Sequence, residues 1–304
     1  MLAFVLRRAV AAVVLVFAVT SGALLLAQLA PGDFASREIG RTPEEMAAER
    51  HRLGLDLPVA EQYRRWLKRS LTLDLGESFQ YQRPVIDLVR AGAANTALLA
   101  TTALIVATLI GIPSGIVTGS RRRGWLPRLI RGASLLLLSV PPLISSLVLL
   151  TIAARTGWLP VAGIGGVSHL VVPTLALALP IAATLERLQA QSIGEALRRP
   201  PAMAARARGI PGVRVVWRHG WRQSLGPILA IYGVIVGSLF SGSFAVEYVT
   251  SWPGLGNLMR EALMTRDTYL VAGCAAAGAV CLAIGVLAAD VAHAAADPRV
   301  RTDA

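Results

Sequence analysis

Residues able to do chemistry are sparse in this 304-residue chain, and their spacing argues against most of it. There is one lysine, Lys68, and no G-x-x-x-x-G-K-[ST] loop, so the chain supplies no P-loop for nucleotide phosphates. Gly166 to His169 sets a hydroxyl, Ser168, beside an imidazole, His169. Adjacency in sequence does not position a general base, however, and the glycine that follows the serine of G-x-S-x-G is missing. No H-E-x-x-H or zinc-type Cys/His cluster occurs, so no metal site and no catalytic residue is expected. Cys274 and Cys281 share a helix face, but at about 1.5 Å of rise per residue they lie about 10 Å apart, beyond disulfide reach. Glu186, Arg187, Glu247 and Asp290 fall at the ends of apolar runs, which leaves the span centres without the ionisable group that ion-coupled transport uses. What remains is a basic element, Ala205-Arg206-Ala207-Arg208-Gly209-Ile210-Pro211-Gly212, set between two apolar runs.

The elements that hold it belong to a membrane protein. With 54% hydrophobic residues, 16% charged residues and a mean hydropathy of +0.58, the chain lies outside the range of soluble domains. Between charged residues run six long gaps: 9–29, 91–120, 132–154, 156–185, 223–246 and 268–289. Each is long enough for a helix to cross a hydrocarbon core of about 30 Å, so the expectation is an all-α protein with six transmembrane helices. The first gap exceeds the 7 to 15 residues, roughly, of a signal-peptide core and is expected to stay as the first span. With both termini inside, the inner segments carry the whole formal net charge of +12, and the outer segments sum to zero. That is the positive-inside pattern, and it places both termini in the cytoplasm. The sequence pI near 11.1 then reflects topology, and no nucleic-acid partner is expected.

Between the first two spans lies an outer segment of about 60 residues with its own helix signals. Thr42 offers an N-cap, Pro43 the first helical position, Glu45 the capping-box partner and Gly54 the stop. A second stretch, "PVAEQYRRWLKRS", groups Val59, Tyr63 and Trp66 on one side. Pro113, Pro141, Pro142, Pro173, Pro180 and Pro227 fall in spans 2 to 5, which are therefore the expected lining of a pathway, since freed carbonyls need protein or water. Between spans 4 and 5, a helical pattern through 195–199 is interrupted by Pro200-Pro201. A helix of about seven residues follows, with Gly209 to stop it and Pro211 to open the next. Its small-residue face, Ala204, Ala205 and Ala207, suits a partner's groove, and the arginines around it suit that partner or anionic lipid.

The stretch "SIGEALRRPPAMAARARGI" resembles the coupling loop of inner-membrane permeases of ABC importers, specifically the dipeptide/oligopeptide/nickel family. The match falls on Ser192, Glu195, Leu197, Ala205, Arg206, Ala207, Arg208 and Gly209. "FVLRR", "APGD", "LGLDLP", "QYRRW", "LDLGES", "GIPSG", "SVPPL", "SWPGLG" and "DPRVR" follow the family's order along the chain. The resemblance implies a type I importer permease fold: 1–93 as first helix and extracytoplasmic segment, 94–293 as five-helix core, and 294–304 as cytoplasmic tail. It implies a coupling helix near 201–209 docking on the ATPase through Glu195, Met203, Ala204, Ala205, Arg206, Ala207, Arg208 and Gly209. It also implies a loop near the pathway or binding protein formed by Trp252, Pro253, Gly254, Leu255 and Gly256. The implied partners are a second, different permease subunit, two cytoplasmic ATP-binding subunits that carry ATP and Mg, an extracytoplasmic binding protein and membrane lipid. No cofactor is implied on this chain. Its departures are Pro200-Pro201 where the family has an acid-Tyr pair, and Met203 where it has a more polar residue; both remodel the first turn of the contact. The alternatives are an ion-coupled secondary transporter and a non-transporting membrane scaffold.

Overall fold

The computed structural model describes residues 2–37, 42–72, 74–121, 124–161, 163 and 166–296. The motif at 297–301 and most of the expected tail lie outside them. In order come α1 (Leu2–Leu29), α2 (Pro43–Leu53), α3 (Val59–Ser70), α4 (Val85–Ser120), α5 (Trp125–Leu138) and α6 (Pro142–Thr156). Then follow α7 (Val167–Ala196), α8 (Pro200–Ala207), α9 (Gly212–Val215), a π-helical turn (Val216–Trp221), α10 (Arg222–Thr250), α11 (Leu255–Thr265) and α12 (Thr268–Ala296). Among the described residues β pairing is confined to one isolated bridge, Glu77 to Pro84.

Among the described residues five helices are long and apolar enough to cross a membrane, and α5 with α6 makes a sixth crossing if that pair is one broken span. The expected continuous third helix, 132–154, is therefore corrected: α5 and α6 meet at a 109° bend. Pro141 and Pro142 are the cause. Pro141 is extended at φ −59 and ψ 150, a proline disfavours helix in the residue before it, and neither proline has an N–H to continue the ladder. The fourth span also shifts, from the expected 156–185 to Val167–Ala196. A charge-free gap marks where charges stop, whereas this helix runs on because Glu186 is buried and accepts a hydrogen bond from Thr118. Glu186 and Asp290 thus lie inside helices rather than at their ends, whereas Glu247 falls in the last turn of α10, as expected.

Two compact units emerge, each assembled from separated stretches: 2–7, 98–252 and 284–296 in one, 8–97 and 253–283 in the other. The first has a core in which Leu99 and Ala103 of α4, Leu177 and Leu185 of α7, and Ile235 and Leu239 of α10 are buried together. Its tightest seam is glycine on α4. A Cβ on Gly111 would stand 2.6 Å from the Ala182 carbonyl oxygen, one on Gly115 2.6 Å from Gln189 Cβ, and one on Gly119 2.4 Å from the Ala190 carbonyl oxygen. Four-residue spacing puts all three on one face, so the backbones of α4 and α7 approach closely where any side chain would hold them apart.

The second unit confirms the local signals of the outer segment. Thr42 and Glu45 form the reciprocal capping box, and Gly54 stops α2 in the left-handed region at φ 69. On α3, Trp66 is buried with Leu24 and Ala272, and Tyr63 packs beside it; Val59, 38% exposed, stays out of the cluster. Phe34, Phe79 and Tyr269 form a chain of tilted rings with centroids 5.7 and 5.2 Å apart. Asp267 ties this unit together: its buried carboxylate accepts from Ser78 Oγ at 2.6 Å, Gln80 N at 3.1 Å and Leu270 N at 3.1 Å. Burial nevertheless outweighs these bonds and holds the Asp267 carboxyl above its ordinary value.

Candidate functional site

The basic element folds as the sequence proposes, with an anchor that the sequence did not place. Arg199, extended at φ −72 and ψ 150, precedes two prolines whose missing N–H groups fall where a first helical turn leaves donors unused. Ala202 and Ala205 are fully buried against Ile193, Leu197 and Val215. Met203, Ala204, Arg206, Ala207, Arg208 and Gly209 are exposed, as is Glu195, which accepts from Gln191 Nε2 at 3.1 Å. The expected small-residue face is thereby corrected: Ala205 points inward because α8 needs a side to rest on, and the outward face is Met203, Ala204, Arg206 and Ala207.

The end of α8 is a Schellman motif. Ile210 N donates to the Ala205 carbonyl at 3.2 Å and Gly209 N to that of Arg206 at 2.9 Å, with Gly209 at φ +78. Ile210 then packs on the same buried cluster. Nothing lies within 4 Å of where a Gly209 Cβ would be, so the demand for glycine there is conformational rather than steric.

Beyond Pro211, α9 passes into the π turn Val216–Trp221, a widened geometry frequent at functional positions. Gly220 in that turn is buried, and a Cβ there would meet Leu197 Cδ2 at 3.2 Å. Just past it, Ser224 Oγ donates to the Trp221 carbonyl at 2.9 Å and accepts from Gln189 Nε2 at 2.9 Å. Trp217 and Trp221 meet edge to face at 6.1 Å. The short helix is thus fastened to the end of α7 and, through the π turn, to the start of α10. Sequence reasoning missed the π turn and the Gln189–Ser224 bond; the small residue Gly220 amid bulky neighbours in "VWRHGW" is the one signal present.

The other sites separate cleanly. Ser251 ends α10 in the left-handed region at φ 53. Trp252 is buried in the core of the first unit. In the second unit, Pro253 is half-buried with its carbonyl accepting from Asn95 Nδ2 at 2.9 Å, while Gly254, Leu255 and Gly256 are buried and Leu255 N donates to Thr96 Oγ1 at 2.8 Å. Little of that loop reaches the surface. Ser168 Oγ and His169 Nδ1 are 3.5 Å apart and exposed, too long and too open for an activated nucleophile. Neither Cys274 nor Cys281 is in a disulfide, and among the described residues no group of three or more His/Cys/Asp/Glu could hold a metal.

Charge pairing divides the molecule. Asp33 pairs with Arg50 at 2.6 Å, Glu49 with Arg52 at 2.6 Å and Glu61 with Arg65 at 3.3 Å. Burial pushes the Asp33 carboxyl up, but the Arg50 and Ser36 hydrogen bonds and the guanidinium charge outweigh it and hold the group below its ordinary value. Burial, then the hydrogen bond and charge of Glu261, push the Tyr81 phenol up to about 12. By contrast, no described arginine from Arg121 to Arg222 pairs with a carboxylate.

Residues 111–302 match the family described as binding-protein-dependent transport system inner membrane component. Residues 1–100 match the N-terminal region described for membrane components of such systems. Over 99% of both chains, the sequence is 31% identical to a candidate peptide permease of Brucella suis biovar 1. Over the same shares it is 29% identical to the oligopeptide transport system permease protein AppB of Bacillus subtilis. It is also 29% identical, again over 99% of both chains, to the glutathione transport system permease protein GsiC of Escherichia coli K12.

Proposed function

The chain belongs to the family of binding-protein-dependent transport system inner membrane components, and from that premise we propose that it forms half of the pathway of an ATP-driven importer for di- or oligopeptides or a related small solute. The observation that carries this reading is α8: eight residues fixed by Ala202 and Ala205, with Met203, Ala204, Arg206 and Ala207 left outward and no carboxylate among the described residues answering the arginines. It has the design of a handle. The charge balance supports an orientation with both termini and α8 in the cytoplasm. There α8 docks on one of two separate ATP-binding subunits, which hold ATP and Mg, while a second permease subunit supplies the other half of the pathway. The segment 33–90 faces the binding protein that delivers the solute.

Mechanically, a push on α8 reaches α7 through Ile193 and Leu197, and α10 through Val215 and the π turn. A π turn holds one residue more than an α turn, so closing it rotates everything beyond it by about 100°. The partner shifts the equilibrium between two states of the bundle by contacting them differently.

Co-purification tests the reading: an associated P-loop ATPase and a second membrane subunit are expected, and a chain that transports alone contradicts it. The ion-coupled alternative would need an acid such as Glu186, whose carboxylate is already bonded to Thr118. Glu186→Gln is expected to keep ATP-dependent uptake.

A further inference from the structure

Among the described residues, the surface between α5 and α7 carries a graded groove of which the coupling role uses only Glu195. Its wider part, of about 670 Å³, is bordered by Arg131, Gln191, Glu195 and Arg198. A narrower part of about 160 Å³ shares Arg131 and Ala190 with it and continues between Arg187, Leu135 and Leu138. Arg131 is held in place, since its Nη2 donates to the Thr118 carbonyl at 2.7 Å and the Arg121 carbonyl at 3.4 Å. The side chains of Arg187 and Arg198 are exposed and make neither an ion pair nor a hydrogen bond among the described residues. Two carboxylates also border the groove and both are engaged, Glu186 with the Thr118 hydroxyl and Glu195 with Gln191 Nε2.

Polarity changes along the groove in the order of a phospholipid. Arg131 and Arg198 border the wide part, and Arg131 and Arg187 the narrow one. Leu135 and Leu138, 55% and 37% exposed, follow one and two turns further along α5 from Arg131. Trp125 and Leu129, 76% and 61% exposed at the start of α5, fit the interfacial level of a bilayer. A planar guanidinium pairs bidentately with phosphate oxygens, and a basic pocket between membrane helices is a recurrent headgroup site.

We propose that this groove binds one anionic glycerophospholipid, its phosphodiester between Arg131 and Arg187, the rest of its headgroup reaching toward Arg198, and an acyl chain along Leu135 and Leu138. The lipid screens the unpaired cations beside α8 and wedges α5 against α7. This site requires the chain's place in a membrane and is independent of whether the chain transports.

The test is native mass spectrometry of the detergent-solubilised chain with its co-purifying subunits, titrated with phosphatidylglycerol, phosphatidylcholine or inorganic phosphate. One phosphatidylglycerol is expected to be retained in preference to phosphatidylcholine. Retention should fall about fivefold for each arginine removed in R187Q and R187Q/R198Q, and R187K/R198K should restore most of it. Both side chains are exposed and make no bond, so melting temperature should not change. Equal retention of the two lipids, or unchanged retention in the double glutamine variant, overturns the site. So does displacement by millimolar phosphate, which makes the site one for free anions. Loss of the lipid whenever the ATPase is bound makes the occupant that protein and equally overturns the proposal.

Discussion

Two charged regions of this molecule obey opposite rules. In the stretch from Asp33 to Arg65, acid meets base within the chain, α2 is capped by its own residues, and Trp66 buries the face of α3. From Arg187 to Arg222, the bases find no acid among the described residues, and α8 is anchored through apolar contacts. A region that satisfies its own charges is a finished surface. One that buries an apolar anchor and leaves its cations unanswered is half of an interface. The distinction is physical: an exposed pair contributes little to stability, whereas an unanswered guanidinium keeps its full capacity for a carboxylate or phosphate brought by a partner.

The comparison breaks first at its foundation. Gly115→Leu drives a side chain into Gln189 and the Glu186 carbonyl, and should cost about 3 kcal/mol or more, read as lost folded yield in detergent. In the self-contained region, Asp267→Ala strands the Ser78 hydroxyl and two backbone donors at about 1–3 kcal/mol each, seen as lower melting temperature and faster proteolysis near residues 74–82. In the unanswered region, Gly209→Val strains the left-handed stop by roughly 1–3 kcal/mol. There the main loss should be in transport and in ATPase stimulation, and normal values of both would count against docking through α8. Arg206→Gln with Arg208→Gln should leave melting unchanged while ATPase retention on affinity columns falls; a drop in melting temperature instead would show these arginines answered within the chain.

The smallest effect is one of pH and carries opposite signs within the outer segment's own unit. Asp33, held below the ordinary 3.8, contributes stability above that value and loses it as pH falls through its lowered one. Asp267, held above 3.8, contributes most below that value and loses it as pH rises through its raised one. Melting curves across pH 3 to 6, roughly, for Asp33→Asn and Asp267→Asn should lose one component each, in opposite directions.

What the sequence made legible was local. Thr42, Pro43, Glu45 and Gly54 decide a helix from residues within one turn of each other, and Gly209 signals its own conformation. What it hid was relational. Gly111, Gly115 and Gly119 are ordinary glycines until α7 lies across them, and no period in α4 names the helix that will do so. Glu186 reads as a boundary because charges usually avoid apolar surroundings, yet Thr118 makes its burial tolerable. The bend at Pro141 leaves hydropathy unchanged, so composition registers one crossing where geometry has two arms. Ala205 looks like contact surface because small residues suit both an interface and a buried face, and Ile193, Leu197 and Val215 settle which.

The most direct test labels Met203, 58% exposed on the outward face of α8, as Met203→Cys in a chain whose Cys274 and Cys281 are alanine, with a membrane-impermeant thiol reagent. The account predicts no labelling in intact cells, labelling in inside-out vesicles, and protection there when the ATPase subunits are co-expressed. Labelling in intact cells would contradict it.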